Sequence, residues 1–256
     1  MFNQRFVVRY FLEIAYNGSN YHGWQEQKNA RGIQEVIGKS ISLIIKTPVK
    51  LIGSGRTDTG VHALGQVAHM ETNRELKPAD LCHRLNRFLP EDISILGIYR
   101  VIENAHARYS AIARIYEYRI IYFKDPFRYR RAWYLRDQID TGLLNDMSAI
   151  MMEYNDFQAF SRVKTDVENF RCRISSARWI RQNGQLKFTI RSDRFLRGMV
   201  RAIVGTLVEA GRGKISVTDF RKIIQDRDRR LAGPAAPAFG LYLAKVEYPE
   251  NIYVEL

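Results

Sequence analysis

Residues 53–70 read GSGRTDTGVHALGQVAHM, a glycine-rich loop that carries Arg56 and Asp58 between two apolar runs. The apolar residues 49–52 and 66–72 predict short strands that enter and leave this loop. A carboxylate near a guanidinium in such a loop fits four interpretations: a phosphate cradle, a metal site, a catalytic acid or a structural turn. The elements around the loop show which fold presents it.

The first half of the chain alternates between the periodicities of strands and helices. Residues 10–15 predict a strand, and an Asn-Gly turn follows it. Residues 32–46 predict an amphipathic helix, because isoleucines and a valine recur at helical spacing. A second helix begins at Pro78, and residues 93–101 form another strand. The predicted order is β-α-β-β-α-β, the ferredoxin-like arrangement.

The second half predicts the same order with longer connections. The expected elements are a strand at 114–123, a helix at 141–152, a hairpin of 172–181 and 186–192 around Asn183-Gly184, helices at 199–208 and 216–225, and a strand at 240–248. We therefore predict an α+β fold of two ferredoxin-like halves, with mainly antiparallel sheets flanking a central RNA-binding cleft. The expected domains are residues 1–105 and 106–256.

The composition favours a nucleic-acid partner. The 256 residues carry a net charge of +13, the expected footprint of a protein that binds a polyanion, although a basic protein without such a partner stays possible. With 46% hydrophobic residues a packed core is expected, yet no apolar run approaches the length of a membrane span. The start of the chain has no pattern of a signal peptide, and two cysteines build no disulfide framework. These features predict a cytoplasmic protein without membrane contact.

Spacing removes two of the four interpretations of the loop. A P-loop that starts at Gly53 needs its second glycine where this chain has Asp58, and no lysine follows that position. The dinucleotide pattern also needs a glycine at position 58. A metal site is weakly supported, because the candidate ligands match no zinc spacing; they are His62, His69, His83 and Cys82. A turn in which Asp58 bonds its own backbone stays open beside the catalytic acid.

A family resemblance separates the remaining interpretations. RTDTGVHA resembles the RTDxGVHA signature of the TruA family of tRNA pseudouridine synthases, and further motifs match along the whole chain. They are YNGSNYHGWQEQ (16–27), LNRFLPEDI (85–93), HARYSAIARIYEYRI (106–120), NDFQAF (155–160), FLRGMVRAIVGTL (195–207) and GLYL (240–243). Gly32 departs from the family pattern, in which a Ser or Thr caps the helix. Residues 163–173 receive no role.

The resemblance implies an isomerase that converts uridine to pseudouridine in the tRNA anticodon arm, at positions 38 to 40. It implies no metal, no cofactor and no redox change, and it implies a homodimer that binds tRNA. Asp58 would be the catalytic aspartate, Arg201 its ion-pair partner, and Tyr116 the ring that stacks on a flipped uracil. Arg56 would contact the RNA backbone or fill the vacated space, and Leu241 would form an apolar wall.

Several points stay open at this level. Asp58 could attack C1′ or C6 of the nucleotide or act through a glycal, and His62 and Gln66 are expected to shape the loop. Two basic clusters, residues 128–131 and 227–230, suit phosphate contacts but could equally be solvated faces. The rival functions are an RNA chaperone with a silent site and a hydrolase that pairs Asp58 with His62 or His69.

Overall fold

The computed structural model describes residues 7–163 and 167–254, and the chain divides into two compact units. The first takes in the described residues up to Ile112 and from Leu243 onwards, and the second is Ala113–Tyr242. Residues 1–6, at the start of the chain where no signal peptide is expected, lie outside the described residues. So do residues 164–166 of the segment 163–173, which has no assigned role. Among the residues described, no helix is long and apolar enough to cross a membrane.

The first unit has the element order that the sequence predicts. Its elements are β1 (Val8–Tyr16), α1 (Ile33–Ile45), β2 (Ile52–Gly53), β3 (His62–Thr72), α2 (Pro78–Phe88) and β4 (Ile93–Val101). The strands β4, β1 and β3 lie side by side and antiparallel, and Tyr10 of β1 pairs with Met70 on one side and Arg100 on the other. The loop of Asp58 joins β2 to β3.

The core of the first unit is formed by alternate residues of β1 and by one stripe of each helix. Tyr10, Leu12 and Ile14 lie on one face of β1 and are almost fully buried. Phe11, on the opposite face, is also buried and packs against Tyr248. The helices contribute Ile33, Ile37 and Ile41 from α1 and Leu81 and Leu85 from α2. These contributions follow from the helical spacing of the apolar residues.

The strand expected at residues 49–52 is shorter in the structure. Only Ile52 and Gly53 pair with β3, because the preceding backbone is bonded to the helix instead. Val49 donates its N–H to Ser42 Oγ at 3.0 Å, and the carbonyl of Leu51 accepts from Gln34 Nε2 at 2.6 Å. Both partners lie on α1, so helix side chains satisfy groups that would otherwise seek a neighbouring strand.

The second unit contains β5 (Ala113–Ile121), β6 (Trp133–Tyr134), α3 (Thr141–Ile150), β7 (Ile174–Gln182), β8 (Gln185–Ser192), α4 (Met199–Gly211) and α5 (Val217–Asp226). The strands β5, β8 and β7 are antiparallel neighbours, and β6 pairs with β5 in parallel. The predicted turn joins β7 to β8, with φ of 51° at Asn183 and 69° at Gly184. Positive φ at both positions is the hairpin geometry that Asn-Gly favours.

The last strand, β9 (Leu241–Glu247), starts in the second unit and continues in the first, where it neighbours β3. The sequence had placed this segment in the domain 106–256 and had drawn the boundary after residue 105, inside the first unit observed here. The architecture is a mixed α+β fold with mostly antiparallel strands. The second unit also contains the short β6, which the sequence did not predict.

Candidate active site

The Asp58 loop, residues 54–61, is held by a segment that lies far from it in the sequence. The backbone N–H of Trp24 donates to the Thr57 carbonyl at 3.2 Å, and the Tyr16 and Thr57 hydroxyls are 2.8 Å apart. Within the loop, Val61 donates its N–H to the Asp58 carbonyl at 3.1 Å. These bonds fix the backbone on both sides of Asp58, so the direction of its side chain is set by the scaffold.

Gly23 is the point of closest approach between that segment and the loop. Its φ is +84°, a conformation that only glycine adopts without strain. A Cβ on this residue would lie 2.3 Å from the Thr57 carbonyl oxygen and 3.1 Å from the carbonyl carbon of Asp58. The second glycine of the motif YNGSNYHGW, Gly23, is therefore required by the loop that carries the aspartate.

Two buried polar residues of β3 complete the support. Gln66 is fully buried, accepts from Ser54 Oγ at 2.5 Å and donates to the Gly55 carbonyl at 3.1 Å. His62 is also buried, and its Nδ1 accepts the N–H of Gly18 at 3.1 Å. The contacts of Gln66 agree with the interpretation that it shapes the loop, whereas His62 holds Gly18, which lies against the backbone of Val61 at the end of the loop.

Asp58 is half-buried and Arg56 is exposed, so the loop presents a carboxylate and a guanidinium at the surface of the first unit. Arg56 Nε donates to Gln25 Oε1 at 3.0 Å. Sequence reasoning gave Gln25 no role, although it lies in the motif at residues 16–27. The two glutamines of that motif differ, since Gln27 instead donates to the His22 carbonyl.

In the second unit, Tyr116 occupies the middle of β5. It is half-buried, and its ring meets that of Phe195 edge-on with the centroids 5.1 Å apart. Tyr118, two residues on, is fully buried and donates its hydroxyl to the Pro237 carbonyl at 2.8 Å. Burial raises the pKa of Tyr118 well above its ordinary value, so this hydroxyl stays protonated. Leu241 is buried at the start of β9.

Arg201 lies in the first turn of α4 and is anchored to the segment that leads to β9. Its Nε donates to the Ala236 carbonyl at 2.7 Å, while Ala236 donates its N–H to the Arg201 carbonyl at 2.9 Å. The plane of the guanidinium is thereby set by a backbone carbonyl of the same unit. Lysine, without a planar group, has no equivalent of this anchor.

The arginines of the basic cluster 227–230 have partners within the second unit. In the cluster 227–230, Arg227 pairs with Asp156 at 3.3 Å and Arg230 pairs with Asp228 at 2.6 Å. Arg229 donates to the carbonyls of Ala232 and Gly233. These two ion pairs lie at the surface, with 60% of the Arg227 side chain and 88% of the Arg230 side chain exposed, and they offset part of the positive charge of the cluster.

His69, one of the candidate metal ligands, is hydrogen-bonded to the backbone and packs against another histidine. His69 Nδ1 accepts the N–H of Ala107 at 3.2 Å, and its ring lies edge-on to that of His106. Burial, with the nearby His106 and Arg9, lowers the pKa of His69 to about 4. Across residues 7–163 and 167–254, no group of three or more His, Cys, Asp or Glu side chains is placed to hold a metal ion.

Known proteins match this chain along most of its length. A family model described as tRNA pseudouridine synthase matches residues 14–110 and 154–249, which include Asp58, Arg201 and Leu241. Tyr116 lies between the two matched segments. The chain therefore belongs to the family of tRNA pseudouridine synthases, isomerases that convert uridine to pseudouridine in tRNA.

Relatives named tRNA pseudouridine synthase A support the same assignment. The protein of Bacteroides thetaiotaomicron is 46% identical over 97% of this chain and 94% of its own length. That of Porphyromonas gingivalis is 45% identical over 97% of this chain and 100% of its own. A more distant relative from Exiguobacterium sibiricum is 36% identical over 95% and 98%. The resemblance read from the motifs is confirmed.

Proposed function

We propose that this enzyme isomerises uridines at positions 38, 39 and 40 of the tRNA anticodon stem-loop, with Asp58 as the nucleophile acting on a flipped-out nucleotide. One observation carries the proposal: the Asp58 loop is fixed by backbone bonds on both sides and presents its carboxylate at the surface of its unit. A plain structural turn needs no such scaffold. A nucleophile does, because displacement of a reacting group by about 1 Å can slow a reaction roughly a hundredfold.

Three side chains have separate roles in the proposed reaction. Asp58 attacks the nucleotide so that the N-glycosidic bond breaks, and Arg201 pairs with it. Tyr116 stacks on the extruded uracil. Stacking is worth about 1–3 kcal/mol per base, which is comparable with the few kcal/mol needed to flip a nucleotide out of its helix.

The remaining assignments rest on the family resemblance. Arg56, held by Gln25, contacts the RNA backbone or fills the space of the flipped base, and Leu241 forms an apolar wall. We also infer two ferredoxin-like halves, residues 1–105 and 106–256, flanking an RNA-binding cleft; the order β1-α1-β2-β3-α2-β4 supports this for the first half. The enzyme acts in the cytoplasm as a homodimer, with tRNA as its partner and without a cofactor.

The proposal is tested with tRNA transcripts that carry C5-tritiated uridine at one position only. Isomerisation moves the glycosidic bond to C5 and releases that tritium to water. We expect release from transcripts labelled at position 38, 39 or 40, and none from transcripts labelled in the D arm or the acceptor stem. Release from the distant positions alone would contradict the assignment to the anticodon stem-loop.

A further inference from the structure

A hydrogen-bonded turn in the second unit exposes two large aromatic side chains. Residues 123–131, FKDPFRYRR, follow β5 and will be called the aromatic turn. The side chains of Phe127 and Tyr129 are 87% and 77% exposed. Exposing such area to water is unfavourable, and the aromatic turn therefore has the character of a binding surface rather than of a solvated loop.

The backbone of this turn is held in one shape. Asp125 accepts the N–H of Phe127 at 2.9 Å, and Arg131 donates its N–H to the Arg128 carbonyl at 2.9 Å. The Arg131 carbonyl in turn accepts from the Tyr242 hydroxyl at 2.6 Å, which ties the end of the turn to β9. The two rings are thus presented by an ordered backbone, so little conformational freedom is lost when a partner binds.

The charge around the rings is positive. Asp125, the one carboxylate of the nine residues, lies 3.2 Å from Arg128 and is balanced by it. Lys124, Arg130 and Arg131 are exposed. Aromatic faces interleaved with exposed cations are the surface that unpaired nucleotides recognise, since bases stack on the rings and phosphates contact the cations.

From these features we propose that the aromatic turn binds unpaired nucleotides of the tRNA substrate, outside the uridine that is isomerised. The inference rests on tRNA being the substrate and extends the proposed function to a second contact. The turn lies in the interval between the two segments that match the family model, so it is separate from the matched segment that carries Asp58. A second copy of this chain is the competing occupant, and the positive charge argues against it.

The test compares three variants of the full chain. Phe127→Ala with Tyr129→Ala removes both stacking faces, and Phe127→Tyr with Tyr129→Phe keeps them. Phe88→Ala removes an aromatic ring that is 57% exposed at the end of α2 and serves as the matched control. The readouts are the Kd for unlabelled tRNA, the single-turnover rate at saturating tRNA and the molar mass by light scattering.

We expect the double alanine variant to raise Kd roughly tenfold or more, with the rate at saturating tRNA and the molar mass unchanged. The conservative pair and Phe88→Ala should keep Kd within about twofold, and Arg131→Gln should reduce the salt dependence of log Kd by a slope of about 1.

An unchanged Kd for the double alanine variant overturns the proposal. A lower molar mass also overturns it, because the turn would then join two copies of the chain. A wild-type enzyme that binds tRNA but releases no tritium refutes the proposed function alone, since the binding comparison does not depend on turnover.

Discussion

The two units present their proposed site residues in different ways. Asp58 sits in an irregular loop whose geometry comes from a distant segment, through contacts of Trp24 and Gly23 with Thr57. Tyr116 and Arg201 occupy a strand and a helix, where their positions follow from regular hydrogen bonding. The loop depends on a few close contacts, whereas the strand and helix positions share their support with many neighbours.

This difference predicts where the enzyme is fragile. A change at a close backbone contact of the loop should shift Asp58 and affect activity beyond its effect on stability. A change at the regular elements should act through the altered side chain alone.

Gly23→Ala should have the largest effect on stability. The new Cβ would collide with the Thr57 carbonyl at a positive φ, so we expect a loss of about 3–4 kcal/mol in the free energy of unfolding. Tritium release should fall roughly a hundredfold in the protein that remains folded. Gly213→Ala is the matched control, since Gly213 also has a positive φ (+77°) but open space around its Cβ position. It should lose about 1 kcal/mol and keep full activity.

The pH dependence of the free energy of unfolding tests whether His69, on the strand β3 that follows the Asp58 loop, is buried in its neutral form. His69 is buried with a pKa of about 4 against an ordinary 6.5, so below pH 6.5 the unfolded chain gains a proton that the folded one does not. Stability should therefore fall as the pH drops from 6.5 to 4, by about 3 kcal/mol from this residue. Urea unfolding of wild type and His69→Gln across this range measures the difference. Parallel curves for the two proteins would contradict the buried neutral histidine.

Arg201→Lys should act through the side chain alone. Lysine keeps the charge but loses the anchored guanidinium plane, and we expect about tenfold slower turnover with a loss of about 1 kcal/mol in stability. Arg229→Lys is the matched control, because Arg229 also donates to backbone carbonyls of the segment before β9. It should lose similar stability and keep its activity. Equal turnover of the two variants would show that Arg201 only braces the segment.

The sequence predicted the elements whose signals are local. The helix α1 and the strand β4 lie where their apolar periodicity places them, and the Asn183-Gly184 turn has its expected geometry. Contacts between distant residues could not be predicted in this way. The bond from Val49 to Ser42 that shortens β2 depends on the position of α1, and the pairing of Arg227 with Asp156 depends on the tertiary fold.

The same limit applies to the candidate site. The motifs identify Asp58, Tyr116 and Arg201 as candidate site residues, because each stands at a defined place in the family pattern. They do not reveal that Gly23 touches the Thr57 carbonyl or that Gln25 holds Arg56, since neither contact has a periodicity or spacing rule. A motif without an assigned role, such as residues 16–27, is the sequence signal that such a scaffold exists.

We propose above that the Asp58 carboxylate performs the chemistry, and one substitution tests this directly. Asp58→Asn keeps the size of the side chain and removes its nucleophilic charge, and the decisive measurement is single-turnover tritium release with tRNA in the presence of excess enzyme. We expect release at least about a thousandfold slower, with a Kd for tRNA and a melting temperature close to those of the wild type. Release within tenfold of the wild-type rate would contradict it.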